Sequence, residues 1–306
     1  MRIIRSRKQQ ILKIGLKHLL WAGTAGIVLV TSVEEDEVKA NADYMAKHLK
    51  DFGWEYIVVD IRWYADNQTT GHYNKYDETD FIIDEYGRYM PSPKRFPSSV
   101  NGAGFKPLAD YIHSLGLKFG IHIMRGVPKE AVFNKLPIKG IDKTAADIYS
   151  TEFECTWLQD NYTVVKDKPG AQEYYNSIFD MYASWGLDFV KVDDLSRPYH
   201  ADEIEMIRKA IDQTGRPIVL SMSPGATPID KHEHATANAN MWRTIDDFWD
   251  NWAQLNYSFD KCAEWAPYIT PGAWYQMPIC YQWGNLFEVN VLLIATPSLP
   301  KMNNLL

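Results

Sequence analysis

Cysteine is scarce in this chain. Three residues in 306 (Cys155, Cys262 and Cys280) show no CxxC spacing, and an odd number leaves no disulfide framework. A reducing compartment fits that usage. Positive charge is also in deficit: 32 Lys and Arg stand against 39 Asp and Glu, a net charge of -7. That balance argues against nucleic acid or an anionic membrane as the main partner. The longest apolar stretch, LLWAGTAGIVLV, is short of the roughly 20 residues that span a bilayer. No GxGxxG or Walker-type loop follows any strand-like run, so a nucleotide site lacks its phosphate cradle. What is present is a soluble globular composition, 46% hydrophobic and 23% charged, with length for one large α/β domain or a barrel with a small appendage. The 11 Trp, 18 Tyr and 12 Phe supply flat apolar faces that suit sugar rings, although most are expected in the core.

One unit recurs along the chain: an amphipathic helix, a glycine, then a short β-branched strand. Ser32 with Glu35 reads as a capping box, followed by a helix as far as Gly53 and the strand YIVVD ending at Asp60. Phe105 to Leu115 carries Leu108, Ile112 and Leu115 at helical spacing, Gly116 stops it, and KFGIHI follows. Ala171 to Trp185 with Gly186 leads into DFVKVDD, Ala201 to Thr214 with Gly215 into PIVLSMS, and a helix-like stretch into NMWRTIDD. Glycine at each stop accepts the left-handed conformation that ends a helix. Strands alternating with helices imply parallel pairing through right-handed crossovers. Asp60, Arg125, Asp193, Ser221 and Asp247 finish strand after strand, which favours a (β/α)8 TIM barrel over a doubly wound sheet with chemistry at one switch point.

Two acidic pairs close strand-like runs, Asp193-Asp194 in GLDFVKVDD and Asp246-Asp247 in MWRTIDDFWDNW. Two carboxylates facing one cleft are the minimum equipment of a glycosidase. Lys191, two residues before Asp193 and on the same face of a strand, would hold that carboxylate ionised. Asp246, Asp250, Trp249 and Trp252 would instead help Asp247 keep a proton. His122 and Arg125 close the KFGIHI run and are expected to line the pocket. His232, Glu233 and His234 have a metal-like composition, but neighbours on a helix point about 100° apart, so a solvated helix face is expected and no metal.

The runs YIVVDIRW, FPSS, GFKPLADYIHSLGLKFGI, WGLDFVKVDD and WRTIDDFWDNW, in this order from about Ser32 to Trp274, resemble glycoside hydrolase family 27, the α-galactosidases and α-N-acetylgalactosaminidases. The resemblance implies a (β/α)8 barrel followed by a β-sandwich domain, and hydrolysis of terminal α-D-galactosidic bonds with retention. It implies Asp193 as nucleophile and Asp247 as acid/base, with Lys191 and Arg243 on the ring hydroxyls and no cofactor. Asp60, Trp63, His122, Asp194, Ser221, Ser223 and Ala226 complete the expected sugar contacts. The family places two adjacent aspartates on the 4- and 6-hydroxyls, whereas here Ile61 follows Asp60. Ser223 and Ala226 look like the acetamido-accepting kind, so an α-N-acetylgalactosaminidase is the alternative in the same class. A sugar-binding remnant without turnover is the alternative outside it.

The two ends depart from that pattern. Residues 1–31 imitate a secretory signal, with Arg2, Arg5, Arg7 and Lys8 before an apolar stretch. Yet Lys17 to Val30, read one base out of frame, can encode TPPMGWNSWDCFG, the family's first strand. YQMPICYQWG and SLPKMNNLL in the same shifted frame can encode PDADMLPMG and FTKDEQL. The expectation is therefore a barrel domain over 32–274, incomplete at its first and last strands, between two frame-shifted ends, 1–31 and 275–306. Weak or no activity follows for the chain as written. A cytoplasmic address is expected, or a secreted one if the signal-like segment is genuine. The expected partners are α-galactoside oligosaccharides or glycoconjugates, with no nucleic acid or membrane.

Overall fold

Helix, glycine stop and strand repeat through the chain as the periodicity demands. The computed structural model of the protein describes residues 21–25, 31–68, 73–247, 252–270 and 272–276. Seven strands form one sheet: β1 (Trp21–Ala25), β2 (Trp54–Val59), β3 (Lys118–Met124), β7 (Phe189–Asp193), β8 (Val219–Met222), β9 (Met241–Arg243) and β10 (Trp274–Gln276), in that spatial order. Every neighbouring pair is parallel. A second, antiparallel sheet of β4 (Val127–Pro128), β6 (Asn161–Val164) and β5 (Tyr149–Ser150) fills the long connection between β3 and β7. The architecture is a partial (β/α)8 barrel.

Five of the seven parallel strands coincide with the β-branched runs that precede each polar strand end. The other two lie at the ends. β1 pairs with β2 along its whole length, so part of the signal-like segment occupies a first-strand place in the sheet, where no in-frame first strand was expected. β10 does the same beside β9. The rest of the signal-like segment and residues 277–306 lie outside the described residues, as does Cys280.

The helices are α1 (Glu35–His48), α2 (Lys106–Ser114), the short α3 (Lys129–Phe133) and α4 (Ala145–Ile148), α5 (Ala171–Trp185), α6 (Ala201–Thr214), α7 (His232–Asn238) and α8 (Trp252–Trp265). α5 and α6 end at Gly186 and Gly215, both left-handed (φ 90° and 70°), as the stop signal requires. α1 corrects the expected cap. The reciprocal hydrogen bonds join Glu34 and Glu37, not Ser32 and Glu35. The Glu35 carboxylate is buried, accepts the Ser98 amide at 2.9 Å and pairs with Lys39 at 2.5 Å. It has been drawn away from its own helix terminus to fasten α1 to the FPSS turn.

Val38, Ala42, Leu108, Ile112, Phe179, Tyr182, Ile204 and Ile207 turn inward from the helices onto Ile57, Val59, Ile121, Val190 and Val192 of the strands, all under 8% exposed. At the upper strand ends, beyond that packing, the polar side chains of Asp60, Lys191 and Asp193 converge. Among the described residues no helix is long and apolar enough to cross a membrane.

Candidate active site

Strand pairing brings the predicted residues together before any side chain is considered. His122 on β3 is the register partner of Lys191 on β7, which is the partner of Ser221 on β8. Met124 is the partner of Asp193 one step higher. Side chains alternate along a strand, so Lys191 and Asp193 face the same side. The result is a cluster of charges at the upper edge of the sheet.

Asp193 is 4% exposed. One carboxylate oxygen lies 2.9 Å from His122 Nε2 and the other 3.9 Å from Lys191 Nζ. Lys191 also pairs with Asp60 at 3.2 Å. Burial alone would raise the Asp193 carboxyl, but the Lys191 charge, then His122 and Arg243, outweigh it and hold the group well below the usual carboxylate range. Lys191 is correspondingly held above its ordinary value: burial pulls it down, and Asp193 and Asp60 pull it further up. Asp193 is therefore an anion at any working pH, which is what a nucleophilic carboxylate needs.

Arg125, the residue closing β3, clamps the strand end that carries Asp193. Its Nε donates to the Asp194 carbonyl at 2.8 Å and its Nη2 meets the Asp194 carboxylate at 2.8 Å. Its Nη1 meets Glu203 of α6 at 2.9 Å, and the backbone N–H donates to the Asp193 carbonyl at 3.2 Å. Arg125 also donates to the Phe153 carbonyl. Asp194 sits in the left-handed region (φ 67°), a conformation that aspartate tolerates better than most residues and that still costs energy. Burial first, then Glu203 and Asp193, push the Asp194 carboxyl up to about 6 against the pull of Arg125. Glu203 is raised by the same burial and takes a 2.7 Å hydrogen bond from Tyr175. Gly126 follows with φ 95°, and a Cβ there would run into the Tyr162 carbonyl, so only glycine lets the chain leave Arg125 in this direction.

Asp247 has a different setting. It lies beyond β9 with its side chain 55% exposed and meets Arg243 Nη2 at 2.8 Å. Arg243 itself is buried and donates to Ser223 Oγ at 3.4 Å. Of the expected support around Asp247, the described members Asp246 and Trp252 are turned elsewhere. Asp246 pairs with Arg197 at 2.9 Å on the exposed side. Trp252 is 76% exposed. Trp249 and Asp250 lie outside the described residues.

Other expectations are met unevenly. Asp60, His122, Lys191, Ser221, Ser223 and Arg243 gather at the strand ends, and Ala226 is half-buried in the loop after β8. Trp63 does not join them. It has no exposure, packs edge-on against Phe105 and Trp185, and donates its indole N–H to the His122 carbonyl at 2.6 Å. It is a core residue rather than a sugar contact, because the turn after β2 rotates it inward. Asp194 is turned to Arg125 rather than standing free in the cleft. The metal-like helix face is occupied otherwise: His234 bonds the Tyr199 hydroxyl at 2.7 Å and Glu205 at 3.2 Å, and His232 stacks on Tyr268.

Two features had no clear sequence signal. The Arg125–Glu203 pair joins residues 78 positions apart, with no pattern linking them. Tyr73 and Trp157 meet from separate loops, 5.9 Å between ring centroids, and in sequence they are two aromatics among many.

Comparisons with known proteins agree with this fold. A family model described as "Alpha galactosidase A" matches residues 30–135 and 130–286. "Alpha-galactosidase 3" of Arabidopsis thaliana is 28% identical over 248 residues, 79% of this chain and 44% of that protein. The Homo sapiens α-N-acetylgalactosaminidase is 29% identical over 245 residues, 76% of this chain and 46% of that protein. The chain thus spans about half the length of the curated relatives it matches. Among solved structures, a glycoside hydrolase family 27 β-L-arabinopyranosidase from Geobacillus stearothermophilus superposes with a TM-score of 0.83 at 47% identity, covering 94% of this chain and 68% of that one.

Proposed function

We propose, from the premise that this chain belongs to the alpha galactosidase A family of glycoside hydrolases, that it encodes a retaining exo-glycosidase for sugars of the galacto configuration. Asp193 attacks the anomeric carbon as the glycosidic C–O bond breaks, and Asp247 gives its proton to the leaving oxygen. Asp247 then takes a proton from water as that water displaces Asp193, returning both carboxyls to their starting states. The carrying observation is the buried, cation-flanked Asp193, whose charge is stabilised where a sugar's anomeric carbon gains positive character. Asp247 rests in an ion pair with Arg243; a ring hydroxyl that engages Arg243 frees Asp247 to hold its proton.

The same reading favours β-L-arabinopyranosides over α-D-galactosides. The two sugars present the same ring hydroxyls, and they differ in that arabinopyranose lacks the hydroxymethyl group on carbon 5. Asp60 retains one acceptor, but the residue after it is Ile61, buried in a small apolar cluster with Met124, Cys155 and Leu158. Nothing in that cluster accepts a hydrogen bond from a 6-hydroxyl, and burying an unpaired hydroxyl costs about 1–3 kcal/mol. The β-L-arabinopyranosidase likeness supports the same choice. The acetamido alternative rests on Ser223 and Ala226; Ser223 already accepts from Arg243.

The test is kcat/KM on the nitrophenyl β-L-arabinopyranoside, α-D-galactopyranoside and 2-acetamido-α-D-galactopyranoside, with proton NMR of the first anomer released. The arabinoside is expected to be fastest, with retention; a fastest acetamido substrate, or an inverted product, overturns the reading. We further propose that residues 1–31 and 275–306 are out of frame, which accurate DNA sequencing of those codons tests: single-base insertions or deletions support it, and clean reads end it.

A further inference from the structure

We propose that Tyr73 and Trp157 form a rigid aromatic shelf at the cleft mouth that binds the ring of the leaving group, a sugar or an aryl aglycone. The inference rests on the glycosidase reading above and names a part of the site that reading leaves open. The two rings come from loops far apart in sequence, meet at 5.9 Å with a 48° tilt, and are 41% and 38% exposed. Large aromatics left open beside a polar cleft offer the flat apolar face that the C–H side of a pyranose ring covers.

What makes the pair a built feature is its mounting. Arg62, two residues after Asp60, is 1% exposed and in the left-handed region (φ 59°). Its guanidinium holds both loops at once. Nη1 donates to Gln68 Oε1 and to the Asn74 carbonyl, each at 2.8 Å, fastening the Tyr73 loop. Nη2 and Nε grip Asp160 at 2.6 and 3.1 Å, fastening the Trp157 loop. Asp160 is also held by the Tyr64 hydroxyl at 2.9 Å. The Arg62 guanidinium lies 5.7 Å from the Tyr73 ring centroid, a cation–π contact that fixes the ring further. Arg62 tolerates its unfavourable backbone because this bidentate bridge over-determines it.

The shelf also faces the right place. Leu158, next to Trp157, and Cys155 pack with Ile61 and Met124, and Met124 is the register partner of Asp193. Asp60 and Ile61 lie just before Arg62 on the same strand end. Burial first, then the charges of Asp60, Asp193 and Asp247 against the pull of Lys191, push the Tyr73 hydroxyl up to about 12. A glycone seated over Asp193 therefore leaves its aglycone against Tyr73 and Trp157.

The experiment compares Tyr73→Ala and Trp157→Ala with the unaltered protein on two substrates, the glycosyl fluoride and a disaccharide of the same glycone. Fluoride has no ring to stack, so its kcat/KM is expected to stay within twofold while that of the disaccharide falls about tenfold or more. Equal losses on both, or none on the disaccharide, overturn the shelf. If the unaltered protein turns over neither substrate, the chain as written is inactive, as its out-of-frame ends predict, and the shelf is read from binding instead. Calorimetric binding then decides the shelf: a preference for disaccharide over monosaccharide that either variant abolishes sustains it, and no such preference ends it.

Discussion

The two carboxylates that divide the proposed chemistry live in opposite surroundings. Asp193 is buried, touched by His122 and Lys191, and mounted on a strand end that Arg125 ties to Glu203. Asp247 is half exposed and meets Arg243 at 2.8 Å. The difference fits the proposed roles. A nucleophile must stay ionised throughout, and the Lys191 charge beside the buried Asp193 favours that. An acid/base must gain and lose a proton in each turnover, so its partner has to be one that the substrate can take away.

The sharpest way to break that comparison is at Asp193. Asp193→Gly should lower kcat by on the order of 10⁴-fold, and added azide should restore turnover while yielding a glycosyl azide of inverted configuration; loss without that product removes Asp193 from the nucleophile's role. Asp247→Ala should cost about 10²–10⁴-fold on substrates with sugar leaving groups and far less on a dinitrophenyl glycoside, which departs without a proton. A uniform loss across leaving groups would contradict the assignment. Arg125→Met leaves Glu203 and Asp194 buried without their cation, and should destabilise the fold by about 3–5 kcal/mol in denaturant titration. An unchanged midpoint would show that the clamp carries no weight. Ile61→Asp restores an acceptor and should raise the galactoside-to-arabinopyranoside ratio of kcat/KM by about tenfold, with a flat ratio counting against the carbon-5 argument.

The smallest effect is the pH dependence of stability. Asp194 is raised from 3.8 to about 6 in the folded chain, so between those values the folded state binds more proton than the unfolded one. Stability from this group is therefore greatest below pH 4 and declines as pH rises to about 6. Asp193, lowered by its cations, contributes in the opposite sense and at more acidic pH. Thermal melts from pH 4 to 7 should show the decline in the native protein and a shallower one in Asp194→Asn; identical slopes would exclude Asp194 as its source.

Much of this was legible in the residues. The helix–glycine–strand rhythm located five strands because each glycine stop and each β-branched run acts locally. Asp60 and Asp193 were readable as strand ends for the same reason, whereas Asp247 lies four residues past the end of β9. Trp63 was expected at the sugar from the resemblance, while the backbone turns at Arg62, at φ 59°, and carries the indole into the core. The Glu35 cap was misread because a side chain that satisfies its own helix was also within reach of Ser98, a residue 63 positions away. No local pattern announces such a competitor.

The sequence by itself determined the elements and their parallel order, since these depend on side-chain periodicity and short-range backbone preference, and it singled out two candidate carboxylates. Only the tertiary structure decided which groups surround each carboxylate. His122 reaches Asp193 across a strand pair, Arg125 reaches Glu203 across a helix layer, and Arg62 reaches Asp160 98 positions along the chain. Electrostatic energy depends on distance through space and on burial, and neither quantity is written along the chain.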